Sequence, residues 1–161
     1  MKSHIKEIAI LVAALSISLT CNAETKPSNF KFVVIEHAIG SKEILIGNYE
    51  KGLHKLENAR INKRTAFDIA TGMCAAKFMN NDLELANVFC TKAIDEYKNR
   101  SRSNYQYLTS IAYSNRGIVR FKLGDIMGAS NDLETATTLD KNEITLANLS
   151  YLKSELSSEK T

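Results

Sequence analysis

Small and apolar residues recur in this chain at a spacing of 34 positions, and this repeat constrains the fold more than any other feature. The first set comprises Gly47, Gly52, Leu56 and Ala59. The second set lies 34 positions later and comprises Asn81, Ala86, Cys90 and Ala93. The third set follows after a repeat that is nine residues longer, and comprises Gly124, Ala129, Leu133 and Ala136. A repeat of this length is typical of stacked helical hairpins, in which each unit buries its apolar face against its neighbours. The pattern therefore predicts an all-α stack, a class of scaffold that binds other molecules and rarely carries chemistry.

The first 23 residues have the pattern of a secretory signal peptide. Lys2 and Lys6 make the start basic, an apolar run of twelve residues covers Ile8–Leu19, and Ala23 provides a small residue at the cleavage position. A membrane-spanning helix needs about 20 apolar residues, so this run is too short for a retained anchor. We expect cleavage after Ala23 and export to the bacterial periplasm. The alternative is a lipoprotein acylated at Cys21, although the residues before this cysteine fit the lipidation pattern poorly.

The charge of the remaining chain argues against nucleic acid as a partner. Removal of the first 23 residues leaves 138 residues, with 19 basic and 17 acidic side chains. This balance is too even for a nucleic-acid-binding surface, and aromatic and basic residues are not interleaved as they are in proteins that bind single strands. The length is sufficient for one domain with a modest core, which we place at residues 28–157.

Five helices are predicted from the residues that begin and end them and from their apolar periodicity. Their ranges are 65–79, 82–97, 103–123, 125–139 and 142–156. The residues predicted to begin them are Thr65 with Asp68 in a capping box, Asp82, Ser103 with Gln106 in a second box, Asp125 and Asn142. The first helix is expected to end in a left-handed turn at Asn81, and the third is expected to end at Gly124.

Three of these helices have an apolar stripe at helical spacing, which we expect to be buried. The stripe of the first helix comprises Ile69, Met73, Ala76 and Met79. The stripe of the second comprises Leu85, Ala86, Phe89, Ala93, Ile94 and Tyr97. The stripe of the last comprises Ile144, Leu149, Leu152 and Leu156. Because no helix is predicted after it, the last helix is expected to cover the open end of the stack.

Residues 110–143 closely resemble a tetratricopeptide repeat. The matching residues are the segment Ala112–Gly117, Leu123–Asp125, Gly128, Ala129, Asp132, Leu133, Ala136, Leu139 and Asp140. The large residues of the family pattern are substituted here and the proline that follows it is absent. Residues 67–100 resemble the repeat moderately, and residues 33–62 resemble it in their second half only. At the start of that degenerate first unit, the aromatic Phe32 and the β-branched run Val33–Ile35 predict extended chain, followed by a short turn of helix after Gly40.

The resemblance implies a right-handed superhelix of helical hairpins that is non-catalytic and binds a protein or peptide on its concave face. In that family the first helix of each hairpin lines this face. The corresponding candidate groove residues are Thr71, Ala75, Phe78, Ser114, Asn115, Ile118, Phe121 and Lys122. Phe78 and Phe121 would anchor apolar side chains, whereas Asn115 and Lys122 could hold main chain or a carboxylate. The alternative is that Phe78 and Phe121 belong to the core between repeats. Recognition of a terminal carboxylate is not supported, since Asn115 has Gly72 as its counterpart in the preceding repeat.

Cys74 and Cys90 are predicted to form a disulfide. In a hairpin that turns near Asn81, both lie about 10–12 Å from the turn, at matching depth on facing helices. An exported chain that has lost Cys21 retains these two cysteines alone, which favours a bond between them. The alternatives are two buried thiols and, less favoured because no Cys-x-x-Cys motif is present, a redox-active pair.

The remaining motifs point to no catalytic, cofactor or metal site. His37 and His54 lack a second ligand at suitable spacing, and the run Lys98–Arg102 is expected to be a solvated loop. The sequence therefore predicts a non-catalytic periplasmic adaptor without a cofactor, whose partner is a protein or peptide of unknown identity. Two alternatives remain open. One is a structural homo-oligomer, for example a homodimer, with an unpaired strand edge at Val33–Ile35. The other is a thiol–disulfide redox protein.

Overall fold

The computed structural model describes residues 29–63, 65–98 and 106–158, and within these ranges it contains seven helices and no strand. The helices are α1 (Ser41–Leu45), α2 (Tyr49–Glu57), α3 (Ala66–Met79), α4 (Leu83–Lys98), α5 (Gln106–Lys122), α6 (Ile126–Leu139) and α7 (Glu143–Ser158). The predicted all-α class is therefore confirmed. The predicted signal peptide, the possible acylation site Cys21, the cap at Ser103 and most of the basic run that begins at Lys98 lie outside the described residues.

The predicted signals at the helix ends account for the turn between α3 and α4, the turn between α5 and α6, and the start of α7. Asn81 has a φ of 59° and Gly124 a φ of 81°, the left-handed conformation expected at these two positions. Asp125 caps α6, since its side chain accepts a hydrogen bond of 2.9 Å from the backbone N–H of Gly128. The Oδ1 atom of Asn142 accepts from the N–H groups of Ile144 and Thr145 at the start of α7.

The capping box predicted at Thr65 does not form. A capping residue needs a non-helical backbone, whereas Thr65 has a φ of −96° and a ψ of −18° and makes no side-chain cap. Its hydroxyl instead donates to the carbonyl of Arg60 at 2.7 Å and accepts from the N–H of Asn62 at 3.1 Å. The side chain of Thr65 therefore stabilises the loop before α3.

Consecutive helices pack against one another throughout the described chain, and α7 contacts both α6 and α5. Small residues allow the close approach. A Cβ added at Gly117 would lie 2.9 Å from Cγ of Leu133, and one added at Gly72 would lie 2.8 Å from Cδ2 of Leu56. Ala129 is fully buried between α5 and α6. At these two glycines, the side chains of Leu133 and Leu56 therefore pack directly against the backbones of α5 and α3.

The predicted buried stripes are correct except at their edges. Ile69, Met73 and Ala76 are buried as predicted, but Met79, the last residue of α3, is 37% exposed. On α4, Ala86, Ala93 and Ile94 are buried as predicted and Phe89 is partly buried, whereas Leu85 is 42% exposed. The side chain of Tyr97, the last predicted residue of this stripe, lies outside the described residues. Leu85 precedes Ala86 by one residue and therefore points about 100° away from it around the helix. Leu152 is the buried centre of the α7 stripe, and the other three predicted residues are partly buried.

Cys74 on α3 and Cys90 on α4 face each other, as their depth in the hairpin predicted. Their Cα atoms are 5.0 Å apart and the sulfurs are within bonding distance, so the geometry is that of a disulfide. The two residues are 2% and 1% exposed. They pack with Ala86 and Val119 in one apolar cluster, which Phe32, Phe78 and Phe89 border.

A charged network that the sequence analysis did not predict joins α5 to α6. Asp132 on α6 is fully buried. The guanidinium of Arg116 donates to both of its carboxylate oxygens, at 2.8 and 2.7 Å, and Nη1 of Arg120 lies 3.0 Å from Oδ2. Arg116 also donates to the hydroxyl of Thr91 on α4, at 3.2 Å. One buried carboxylate thus organises two cations and links three helices.

The ion pair between Glu43 on α1 and Lys55 on α2 gives a pH-dependent contribution to stability. Their Oε1 and Nζ atoms are 2.6 Å apart, and the hydrogen bond from Lys55 lowers the pKa of Glu43 below its ordinary value of 4.5. A lowered pKa means that this stabilisation is present above pH 4.5 and is lost as the pH falls through the pKa of the folded state. We expect Glu43→Gln to lower the melting temperature at neutral pH, and its difference from wild type to shrink in acid.

Thermal melts of wild type and Glu43→Gln at neutral and acidic pH check this expectation. The exposed Glu57 on α2 provides the control, since Glu57→Gln removes a carboxylate that no described ion pair uses. A wild-type advantage of equal size at both pH values would contradict the assignment.

Candidate functional site

The N-terminal segment (residues 29–35) lies across the helices and has neither helical nor strand structure. It contacts residues of α5 and α7 that are 82 and 117 positions away in the sequence. Lys31 and Val33 are the two residues of the segment whose main chain bonds to the helices, and each offers both its N–H and its C=O to the same neighbour. Bonding at every second residue is the periodicity of an extended chain.

Two buried asparagines hold the main chain of this segment. Asn115 on α5 donates from Nδ2 to the carbonyl of Val33 at 2.8 Å, and its Oδ1 accepts from the N–H of Val33 at 3.0 Å. Asn148 on α7 does the same for Lys31, with distances of 3.0 and 2.7 Å. Nδ2 of Asn148 also donates to the hydroxyl of Ser114 at 2.8 Å, which fixes the orientation of the amide. Each carboxamide therefore pairs with the N–H and the C=O of one residue, as a neighbouring antiparallel strand would.

Aromatic side chains of the N-terminal segment fill the space between the helices. The ring of Phe30 meets Phe121 and Tyr151 edge to face, with centroids 5.1 and 4.6 Å apart. The ring of Phe32 stacks on Phe78 with a centroid distance of 4.1 Å. Such pairs contribute about 0.5–1.5 kcal/mol each beyond the area that they bury. Phe30 and Phe32 are thus apolar anchors of the segment, and Val34 and Ile35 also pack against the buried core.

A cavity of about 240 Å³ remains where the segment enters the groove. Its lining comprises Asn29, Phe30, Phe32, Phe78, Ile118, Phe121, Lys122 and Tyr151. Lys122 is exposed at this cavity, and Tyr151 is half-buried with a pKa raised by desolvation and by the nearby Glu155 carboxylate. We define the groove as a surface formed by three helices. Its residues are Phe78 on α3, Asn115, Ile118, Phe121 and Lys122 on α5, and Asn148 and Tyr151 on α7.

An exposed ion pair joins the N-terminal segment to the start of α7. Nζ of Lys31 lies 2.6 Å from Oε1 of Glu143, the first residue of α7. The hydrogen bond from Lys31 lowers the pKa of Glu143, so this carboxylate stays ionised at neutral pH and favours a cation beside it. A basic residue between two aromatic ones therefore matches the charge that the groove offers.

The candidate groove residues from the sequence fall into two groups. Thr71 and Ala75 are buried within α3, where the hydroxyl of Thr71 donates to the carbonyls of its own helix at Phe67 and Asp68. The other six meet the N-terminal segment or the side chains that hold it. They are Phe78, Ser114, Asn115, Ile118, Phe121 and Lys122.

The unpaired strand edge predicted at Val33–Ile35 is absent at Val33, whose N–H and C=O both pair with Asn115. The sequence analysis missed Asn148 and Tyr151 because it assigned α7 only a covering role. Asn148 lies 34 positions after Ser114, so extension of the repeat into α7 would have found it.

No group of three or more metal-ligating side chains occurs in the part of the chain that the structure describes. A separate search of the same residues found no helix that is long and apolar enough to cross a membrane. Comparison of the chain with protein-family models, with curated proteins and with solved structures finds no match. The arguments about function therefore rest on the geometry of the groove.

Proposed function

We propose that this protein is a non-catalytic scaffold that binds a protein or peptide partner as an extended chain in the groove between α3, α5 and α7. The observation that carries this proposal is that Asn115 and Asn148 each pair with both the N–H and the C=O of one residue of an extended chain. On the side of the bound chain, these bonds involve only main-chain atoms. The groove can therefore hold an extended chain whatever side chains that chain has at the two bonded positions.

The arrangement of the helices and the compartment are parts of the same proposal. The pairs α3–α4 and α5–α6 correspond to two hairpins of a right-handed superhelix of tetratricopeptide-like units, with α7 as the capping helix. Export to the periplasm, with cleavage after Ala23, would leave the mature N-terminus a few residues before the N-terminal segment. That compartment is oxidising, which suits the Cys74–Cys90 geometry. The burial of both sulfurs argues against the redox alternative, because exchange needs an accessible thiolate.

Photo-crosslinking in cells tests the proposal. A photoreactive residue at Lys122, which is exposed at the cavity, should crosslink a partner, whereas the same residue at the exposed Lys153 of α7 provides the matched control. Adding Asn148→Ala should reduce the Lys122 crosslink about tenfold, because two hydrogen bonds to the main chain are lost. The yield is measured by mass spectrometry of the crosslinked peptides. Equal yields from Lys122 and Lys153, or an unchanged yield in a folded Asn148→Ala variant, would contradict groove binding.

A further inference from the structure

We propose that the ligand of the groove is an extended peptide with two aromatic residues separated by one basic residue, and that the N-terminal segment is an internal competitor for it. The inference rests on the proposed function and specifies the ligand of the same groove. The segment that now fills the groove carries this pattern as Phe30, Lys31 and Phe32.

The ligand is defined by three features of the groove: the two amides, the two aromatic sites and the charge of Glu143. The amides of Asn115 and Asn148 align an extended main chain at alternate residues. Two aromatic sites lie on the helices, one between Phe121 and Tyr151 and one on the face of Phe78. The main-chain bonds carry no sequence information, so the aromatic sites supply the selectivity for side chains.

The charge of Glu143 determines which kind of residue the groove accepts between the two aromatic positions. Glu143 lies beside this position, and the Lys31 ammonium that it binds is 2.6 Å away. A second carboxylate at this place would be repelled, whereas lysine or arginine would be accepted. The cavity of about 240 Å³ next to the first aromatic site leaves space for a side chain larger than phenylalanine.

The N-terminal segment is held in a way that permits its release. The described hydrogen bonds to its main chain from other elements come from side chains, so no strand ladder has to be broken. Its connection to α1 passes through His37, which has a φ of 63°, and Gly40, with a φ of 75°. Both residues belong to the turn between the segment and α1, and neither takes part in the bonds that hold Lys31 and Val33.

Competition between the segment and the ligand follows from this arrangement. The apparent dissociation constant for an added peptide equals the intrinsic constant divided by the fraction of molecules whose groove is open. Weakening the anchors of the segment raises that fraction without changing the groove. The double variant Phe30→Ala/Phe32→Ala should therefore bind an added peptide more tightly than wild type does.

Fluorescence anisotropy with a labelled synthetic peptide of residues 28–36 tests the proposal on the full-length purified chain. We expect the Phe30→Ala/Phe32→Ala variant to bind the peptide about tenfold more tightly than wild type. A control peptide with alanine at both aromatic positions should bind this variant about tenfold less tightly. Adding Asn115→Asp should abolish binding, since a carboxylate cannot donate to a carbonyl; Tyr151→Ala provides a second groove variant if Asn115→Asp does not fold.

Several outcomes would overturn the proposal. These are equal affinity of wild type and double variant, no binding to a double variant that melts cooperatively, or undiminished binding after both groove substitutions. A concentration-dependent dimer that excludes the peptide would also overturn it, because the occupant would then be the N-terminal segment of a second copy.

If the Lys122 crosslink identifies a partner segment without aromatic residues, the proposed function stands and this inference fails. If the peptide binds but no partner is crosslinked in cells, the proposed function fails.

Discussion

Replacement of Asp132 by asparagine is expected to lower the free energy of unfolding by about 3–5 kcal/mol, because it removes the charge from a buried carboxylate that two cations share. Asp132 accepts two hydrogen bonds from Arg116 and lies 3.0 Å from Arg120. Asparagine has nearly the same shape, but it brings an N–H₂ group to a position where it faces a guanidinium. The guanidinium of Arg116 is then left largely buried without its counter-charge, whereas Arg120 keeps Asp125 at 3.7 Å.

Urea unfolding followed by circular dichroism measures this loss. Glu134→Gln is the matched control, since Glu134 lies on the same helix, is exposed and loses the same charge. A decrease for Asp132→Asn no larger than that for Glu134→Gln would show that the network does not link α5 to α6 energetically.

The second large effect is expected from removal of the bond between Cys74 and Cys90. These cysteines are separated by 16 positions, and closing a loop of this size stabilises a fold by about 3 kcal/mol in the chain-entropy model. Cys90→Ser should accordingly lower the melting temperature by about 10 °C, and reduction of the wild-type protein should lower it similarly. Because Phe32 and Phe78 pack against the same cluster, part of this loss should come from loosening of the groove.

Thiol titration of the exported protein, unfolded without reductant, provides the independent check. We expect no reactive thiol from Cys74 or Cys90. Two reactive thiols, together with a melting temperature unaffected by reductant, would mean that the pair packs as buried thiols. The double substitution of both cysteines by alanine then separates the loss of packing from the loss of the covalent link.

The sequence was sufficient for features that depend on local chemistry. Asn81 and Gly124 identified the turns because few residues adopt a positive φ, and Asp125 identified a helix start because its side chain reaches the N–H three residues later. Counting residues from the turn placed Cys74 opposite Cys90. The same counting places Arg116 opposite Asp132 across the turn at Gly124, so this network was also within reach of the sequence.

The filling of the groove was not predictable in the same way. The contacts between Lys31 and Asn148 and between Val33 and Asn115 join residues that no repeat or periodicity relates. The pattern at Phe32–Ile35 predicted extended chain correctly, but an extended chain can pair with a strand, a helix face or a partner. The choice depends on the three-dimensional position of two amides on separate helices. Local propensity does not encode that position.

The pairing of Lys31 with Asn148, which are 117 positions apart, has a consequence for the order of folding. The hairpins close short loops and can form early, whereas the N-terminal segment takes two of its main-chain bonds from α7, which is synthesised long after it. During synthesis or transport across a membrane, the segment must therefore wait for α7 before it is fully held. A nascent chain that stops before α7 lacks Tyr151, so the ring of Phe30 is more exposed and gives quality-control factors an apolar signal of incompleteness.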